Sequence, residues 1–282
     1  MQNLKTKFSE SDGSQLATLQ TCIRTNDLNL LGDGTHLSSF NMLGNFHFGK
    51  PEDKDNYLNS CIMWDEIVKT LKIPVTSVHV HPTQNEHKNI WEKLGYTILL
   101  DEECVWSDGL FKGYCSELYC NDLEIGNLVN TFGYSVDVGF GFERLIQVLE
   151  NKKRVDETSL FDQSLPPILR DVTRTLDILW ENKLNPSWKG RNQVCRNLIR
   201  KILPFINDEH MFSTFSWYPW VISERESIDN KVKMGKKIFY RHREKPFEFF
   251  QKTYGISLDE YEQIKEYFTE NGQIVRRTSN GS

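Results

Sequence analysis

Residues 22–49 read CIRTNDLNLLGDGTHLSSFNMLGNFHFG, and the fold turns on how this stretch is read. Residues 18–23, which run into it, alternate as a strand does, and residues 36–43 read as the strand that returns. Between them, residues 25–35 carry Asn-Asp and Gly-Asp-Gly punctuation, far longer than a tight hairpin turn requires. A long polar loop held between two strands resembles a binding loop more than a structural turn.

Downstream, residues 135–145 read SVDVGFGFERL. Its start predicts another short strand, Gly139-Phe140-Gly141 a turn, and Phe142 the start of a helix with Leu145, Val148 and Leu149 as a buried stripe. Together the two stretches look like a divided nucleoside-triphosphate site. Arg24, at a strand end, can set a guanidinium fork on an α-phosphate where the transition state gains charge. The loop can cover the triphosphate, Phe40 offers adenine a flat apolar face, and Arg144 can hold the γ-phosphate from the opposite side. Gly139 and Gly141 leave room for a ligand against backbone. Neither half is decisive alone: a lone hairpin arginine is usually a surface charge, and G-x-G before a helix is a weak pattern without a full dinucleotide or P-loop motif.

Further elements surround these two stretches. Residues 55–71 and 85–94 have helical spacing, 77–81, 97–100, 117–120 and 125–129 read as short strands, and the segment WSDGLFKGYCSE reads as a loop. From Pro166 the apolar period becomes helical over 168–179 and 194–203, separated at Asn185-Pro186, and residues 246–268 hold further helical material interrupted at Tyr254-Gly255. The expected architecture is α+β, an antiparallel sheet with flanking helices in residues 1–165, followed by a mostly helical domain in 166–282. The last residues, 276–282, read as a mobile tail.

Composition sets the outer bounds. In 282 residues, 38% are hydrophobic and 26% charged, with 17 Phe, 10 Tyr and 7 Trp, which excludes disorder of the whole chain. No apolar run approaches the roughly 20 residues of a membrane helix, and the opening MQNLKTKFSESDG has no apolar core like a secretion signal. The expectation is a cytoplasmic protein without a membrane partner. A net charge of −5 argues against non-specific coating of nucleic acid. Residues 183–201, KLNPSWKGRNQVCRNLIRK, nevertheless hold six basic residues and no acidic one, a patch able to face a polyanion or simply a solvated helix face. The six cysteines never form C-x-x-C and read as ordinary reduced thiols. Cys115-x4-Cys120 comes nearest to a ligand spacing, without a histidine at a zinc-like interval. Glu117 is a candidate metal or nucleotide-site carboxylate, and metal ligands are otherwise unassigned.

The two opening motifs resemble motifs two and three of class II aminoacyl-tRNA synthetases, and the chain is similar to a truncated alanyl-tRNA synthetase. GYCSELY, EIGNLV, DVGFGFERL and the distal TYGISLDE follow in that family's order. The resemblance implies ATP and Mg²⁺, with Arg24 and Arg144 as the catalytic phosphate contacts, and His36 and Phe40 in the nucleotide step with Gly139 and Gly141. It implies a small-amino-acid pocket of Trp106, Asn127, Val129 and Asp137, where Asp137 takes the substrate ammonium and Val129 limits the side chain. A charged acceptor for an ammonium is what the chemistry needs in any case.

Three departures from the family pattern carry expectations of their own. The family's first motif is not evident, so a sheet edge is expected to be exposed or completed by a homodimer mate or another partner. Asn41 stands in the nucleotide motif where an acid is expected, keeping hydrogen bonds but not charge. Trp188 replaces an asparagine in the acceptor-stem region, where an indole cannot reproduce a paired donor and acceptor, while Lys189, Arg191, Arg196, Arg200 and Lys201 could still meet phosphates. From this length, the family's editing domain is expected to be missing.

The function implied is ATP-dependent activation of alanine, or another small amino acid, to an aminoacyl-adenylate and its transfer to an acceptor, the tRNA 3′ end first. The alternatives are a tRNA-independent ligase acting on a peptide, carrier protein or small amine, and a non-catalytic homologue that binds RNA or a synthetase.

Overall fold

The computed structural model describes residues 5–270 except 27, 108, 110, 111, 207 and 208. The chain divides into two compact units, Met1–Thr175 and Leu176–Ser282. The expected tail at 276–282 lies outside the described residues.

The first unit opens with a short helix, α1 (Lys5–Glu10), and a hairpin of β1 (Gln15–Ile23) and β2 (Ser39–His47). It continues through α2 (Asn56–Thr70), β3 (Ser77–Val80), α3 (Asn85–Lys93), β4 (Ile98–Leu100), β5 (Val105–Ser107), β6 (Lys112–Cys120), β7 (Leu123–Thr131), β8 (Ser135–Gly141) and α4 (Phe142–Leu149). The strands form one sheet in the order β1-β2-β8-β7-β6-β3-β4, with β5 paired to β6. Every pairing is antiparallel except β3 with β4. This is the expected α+β architecture.

Strand alternation divides the sheet's residues between two faces. Val136, Val138 and Phe140 of β8 join Leu128 of β7, Leu118 of β6 and Val78 and Val80 of β3 in a core closed by Tyr57, Cys61, Trp64 and Val68 of α2 and Trp91 of α3. Trp64 stacks on Phe140 with ring centroids 3.7 Å apart, a contact worth about 0.5–1.5 kcal/mol beyond its burial. The ring needs Gly126 opposite it, where a Cβ would stand 2.4 Å from Phe140. Residues 137, 139 and 141 therefore face the other way, toward the open side of the sheet.

Three sequence expectations change here. Gly139 to Gly141 is no turn: these residues complete β8, with Gly139 opposite both Gly44 and Asn127. In the WSDGLFKGYCSE segment, residues 106–107 and 112–117 are strand, because Trp106 pairs with Gly113 across β5 and β6. In α4, Leu145 is buried but Leu149 is 45% exposed, so the buried face includes Glu143 and Gln147 instead. The polar opening also holds an unexpected anchor, as Phe8 of α1 is buried against Phe46 and Phe48.

Beyond α4 lie α5 (Pro167–Glu181) and α6 (Gln193–Ile202), separated at the expected Asn185-Pro186 break, then α7 (Glu209–Phe212), α8 (Tyr218–His242), α9 (Phe247–Tyr254) and α10 (Leu258–Glu270). Gly255 caps α9 in the left-handed conformation at φ 66°, which glycine adopts without strain. In the helical unit, Phe239, Phe250, Ile256, Ile264 and Phe268 form one core. No described helix is long and apolar enough to cross a membrane.

Candidate active site on the open face of the sheet

A cavity of about 230 Å³ lies over β2, β8 and β7, and Arg24, Phe40, Asn127, Gly139, Gly141 and Arg144 are among its lining residues. Two distant sequence motifs thus meet, because β2 pairs directly with β8, with Met42 opposite Gly141. Arg24 follows the end of β1 and lies over the Phe40 ring, 5.9 Å from its centroid. Its backbone N–H donates to Ser38 O at 2.8 Å, closing the neck of the loop. Arg144 sits in the first turn of α4 and donates to Glu124 through Nη1, to the carbonyl at 2.7 Å and to Oε2 at 3.1 Å.

The loop is pinned at its far end. Arg154 donates through Nη1 to Asp33 O and through Nη2 to Gly32 O, both at 3.0 Å, while Asp156 fixes the same guanidinium at 2.9 Å. Gly34, at φ 88°, lets Arg154 lie against the backbone, since a Cβ there would stand 2.6 Å from Cζ. Asp33 accepts hydrogen bonds from the backbone N–H groups of Thr35 and His36 at 2.7 and 2.8 Å, an Asx-type turn. His36 Nδ1 lies 2.6 Å from the same carboxylate. His36 is therefore held by its own loop and does not line the cavity.

Asn41 does not line it either. Strand alternation turns it away from Phe40 and Met42, and its amide bridges Thr21, which donates to Oδ1 at 2.9 Å, and Glu143, which accepts from Nδ2 at 3.1 Å. Glu143 also accepts from the Asn41 backbone N–H at 2.9 Å and from Arg174 Nη1 at 2.7 Å. Both ends of the amide are satisfied, which a carboxylate at this position could not achieve beside Glu143. Arg174 donates further to Ser39 O, and Asp171 accepts from the Ser38 N–H at 2.8 and 3.0 Å. Burial pushes the Asp171 carboxyl up to about 6. Sequence reading missed Glu143 and Arg174 as supports of β2. Glu143 stands beside Arg144 in the quoted motif, whereas nothing in the local sequence of α5 signals Arg174.

The four residues assigned to the amino-acid pocket fall on three neighbouring rungs of the sheet, with Trp106 opposite Gly113. Asp137 pairs with Val129, Val129 with Cys115, and Asn127 with Gly139. Trp106, from β5, packs with Val129, Cys104 and Cys115. Among the described residues none donates a hydrogen bond to the Asp137 side chain, and burial pushes its carboxyl up to about 6. Such a carboxylate gains from a cationic ligand that restores what water supplied. Cys120, the expected spacing partner of Cys115, belongs instead to the helix-side core; Cys104 and Glu117 are the groups beside Cys115.

The assigned acceptor residues lie in the helical unit. Trp188 is 55% exposed and Arg196 6%, and both line a cavity of about 370 Å³ with Pro186, Trp220 and Glu224. The Arg196 guanidinium lies against the Trp188 ring. It donates from Nε and Nη2 to the two oxygens of buried Glu224 at 2.7 and 2.8 Å, and Arg200 Nε joins at 2.5 Å. Arg196 is thus a buried structural cation, and Arg200 is partly engaged. Lys189 and Arg191 are exposed, and Lys201 is half-buried.

Comparison with known proteins gives a consistent grouping. Residues 1–130 match the family model described as tRNA synthetases class II (A). The chain is 28% identical to the Alanine--tRNA ligase of Desulfitobacterium hafniense (strain Y51), over 67% of this chain and 28% of that protein. It is 26% identical to the Alanine--tRNA ligase of Elusimicrobium minutum (strain Pei191), over 86% of this chain and 37% of that protein. The chain therefore spans well under half the length of these curated relatives. A crystal structure of pyrrolysyl-tRNA synthetase from Desulfitobacterium hafniense aligns with a TM-score of 0.35 at 18% identity, over 56% of this chain and 50% of that one, too loosely to bear on the fold.

Proposed function

Starting from a class II, alanyl-tRNA synthetase-like chain, we propose that this protein activates alanine, or another small amino acid, with ATP and transfers it to an acceptor. The observation that carries the reading is the meeting of Arg24, Phe40, Gly139, Gly141 and Arg144 around one cavity, with Asp137 on the same strand and face as the two glycines.

The cavity fits a nucleotide in kind. A side chain at 139 would enter it, since a Cβ there would already press on Met42 Sδ at 3.0 Å. At about 230 Å³ it is smaller than the roughly 300–1,000 Å³ of enclosed ligand pockets, so part of the ligand would lie in the open. Arg24 would hold the α-phosphate and stabilise charge as the amino-acid carboxylate attacks phosphorus. Arg144 would exchange Glu124 for the γ-phosphate, one anionic partner for another. Phe40 would stack under adenine, and Asp137 would take the α-ammonium and thereby aim the carboxylate. Glu124 and Glu143, on the cavity wall, are hard oxygen donors of the type Mg²⁺ takes. Mg²⁺, when bound, supplies charge neutralisation across the pyrophosphate. Val129 and Trp106 would limit side-chain size, although one methylene is worth only about 1–3 kcal/mol of discrimination.

The tRNA 3′ end is the first acceptor to test, on the strength of the family resemblance. The second reading is a tRNA-independent ligase acting on a peptide, carrier protein or small amine. It is favoured by Arg196, which is buried on Glu224 and so withdrawn from phosphate contact. Exchange of labelled pyrophosphate into ATP, dependent on alanine, glycine or serine, tests the activation step; its absence with all three sinks both readings. Acylation that persists with periodate-treated RNA rules out the tRNA 3′ end.

A further inference from the structure

Cys104, Cys115 and Glu117 bring two thiols and a carboxylate together, with their ligand atoms all within 4.8 Å of one another. Cys104 just precedes β5 and Cys115 lies on β6, and the Cys115 N–H donates to Cys104 O at 3.0 Å. Glu117 stands two residues beyond Cys115 on the same strand face. We infer that these three side chains form a binding site for one thiophilic divalent cation, zinc by its ligand chemistry, with a fourth coordination position left open.

Four observations carry this. The donor set is soft, and two thiolates with one carboxylate select zinc over magnesium or calcium. In a tetrahedral zinc site, Zn–S bonds of about 2.3 Å place two sulfurs about 3.8 Å apart, so only small side-chain movements would close the group on an ion. Glu117 is already oriented: Cys115 Sγ lies 3.4 Å from Oε1, and Tyr119 donates its hydroxyl to Oε2 at 3.2 Å. One oxygen faces the sulfurs while a neighbouring phenol holds the other, the outer support that metal ligands require. Val129 and Trp106 pack over the two cysteines, excluding water from the sulfur side.

Three protein ligands leave a position free for an exchangeable group. The site also shares the face that carries Asp137. Cys115 pairs with Val129 and Val129 with Asp137, so two strand spacings, about 10 Å, separate Cys115 from Asp137. An ion here stands at the end of the rung that carries Val129 and Asp137, although its binding is independent of any ligase activity.

The test is anaerobic titration of the reduced full chain with Co²⁺, after metal analysis of the protein as purified. One equivalent should bind with intense sulfur-to-cobalt absorption and the visible bands of a tetrahedral centre, and Zn²⁺ should displace it. Azide should shift the visible bands by entering the open position. Cys104→Ser and Cys115→Ser should each roughly halve the sulfur-to-cobalt absorption, and Tyr119→Phe should weaken binding by about 10-fold. If the cysteine variants fail to fold, the wild-type titration still decides. No thiolate band in the reduced wild-type chain overturns the site. Bands indifferent to azide overturn the open position.

Discussion

In the sheet unit, Arg24 and Arg144 line a cavity, and Asp137 is half-buried without a hydrogen-bond donor among the described residues. In the helical unit, Arg196 and Arg200 converge on one buried carboxylate, Glu224. The same residue types therefore stand in different surroundings. On the sheet face Arg144 rests on a partly exposed Glu124 beside the cavity, and the desolvation of Asp137 is left uncompensated. The helical charges are matched internally, and breaking that match leaves a buried ion alone. A cluster of arginines in sequence does not by itself say which of these two surroundings it meets.

The comparison can be broken most sharply at Glu224. Glu224→Gln leaves Arg196 buried beside a neutral amide and is expected to lower stability by about 3–5 kcal/mol in urea unfolding; a loss below about 1 kcal/mol would mean that the arginines are not held there. Next come Arg24→Ala and Arg144→Ala, each expected to reduce amino-acid-dependent pyrophosphate exchange by about 10²–10³-fold. Their thermal unfolding should hardly move, because neither belongs to the buried core of the sheet.

Asp137→Asn reverses the usual direction of a polar substitution. The folded carboxyl titrates near 6, raised by burial from 3.8. Its stabilising protonated form is fully present below about 3.8 and lost as pH rises through 6. The variant should therefore be more stable than wild type at pH 8, by about 1–3 kcal/mol, with the gap closing below pH 4, while exchange activity falls. A pH-independent difference between the two melting curves would contradict the assignment. The smallest effect is expected for Asn41→Asp, which sets a carboxylate against Glu143 Oε1 in place of a donor, at about 1 kcal/mol in calorimetry near neutral pH.

Much of the sheet was legible because alternation and punctuation are local. Residues 18–23 and 125–129 announce strands, and Gly255 announces the end of α9. Misreadings arose where a long-range partner decides the matter. Gly139 and Gly141 have the local look of a turn, but Gly44, Met42 and Asn127 pair with the strand and extend it. The segment around Trp106 looks like a loop until β6 supplies its partner. The 25-residue helix α8 escaped notice because its charges blur the apolar period. In the site, Arg24, Phe40 and Arg144 were legible as chemical types at suggestive positions. The support of Glu143 by Arg174, and of Cys115 by Cys104, depends on register and packing between distant segments, which no local pattern encodes.

The alternation of β8 also separates two mutational histories. Val136, Val138 and Phe140 answer to the volume of the helix-side core, whereas Asp137, Gly139 and Gly141 face the other side, where the proposed ligand would lie. Selection can thus reshape ligand preference on one set of positions while the other keeps the strand in place, letting a lineage exchange substrates without relearning how to fold.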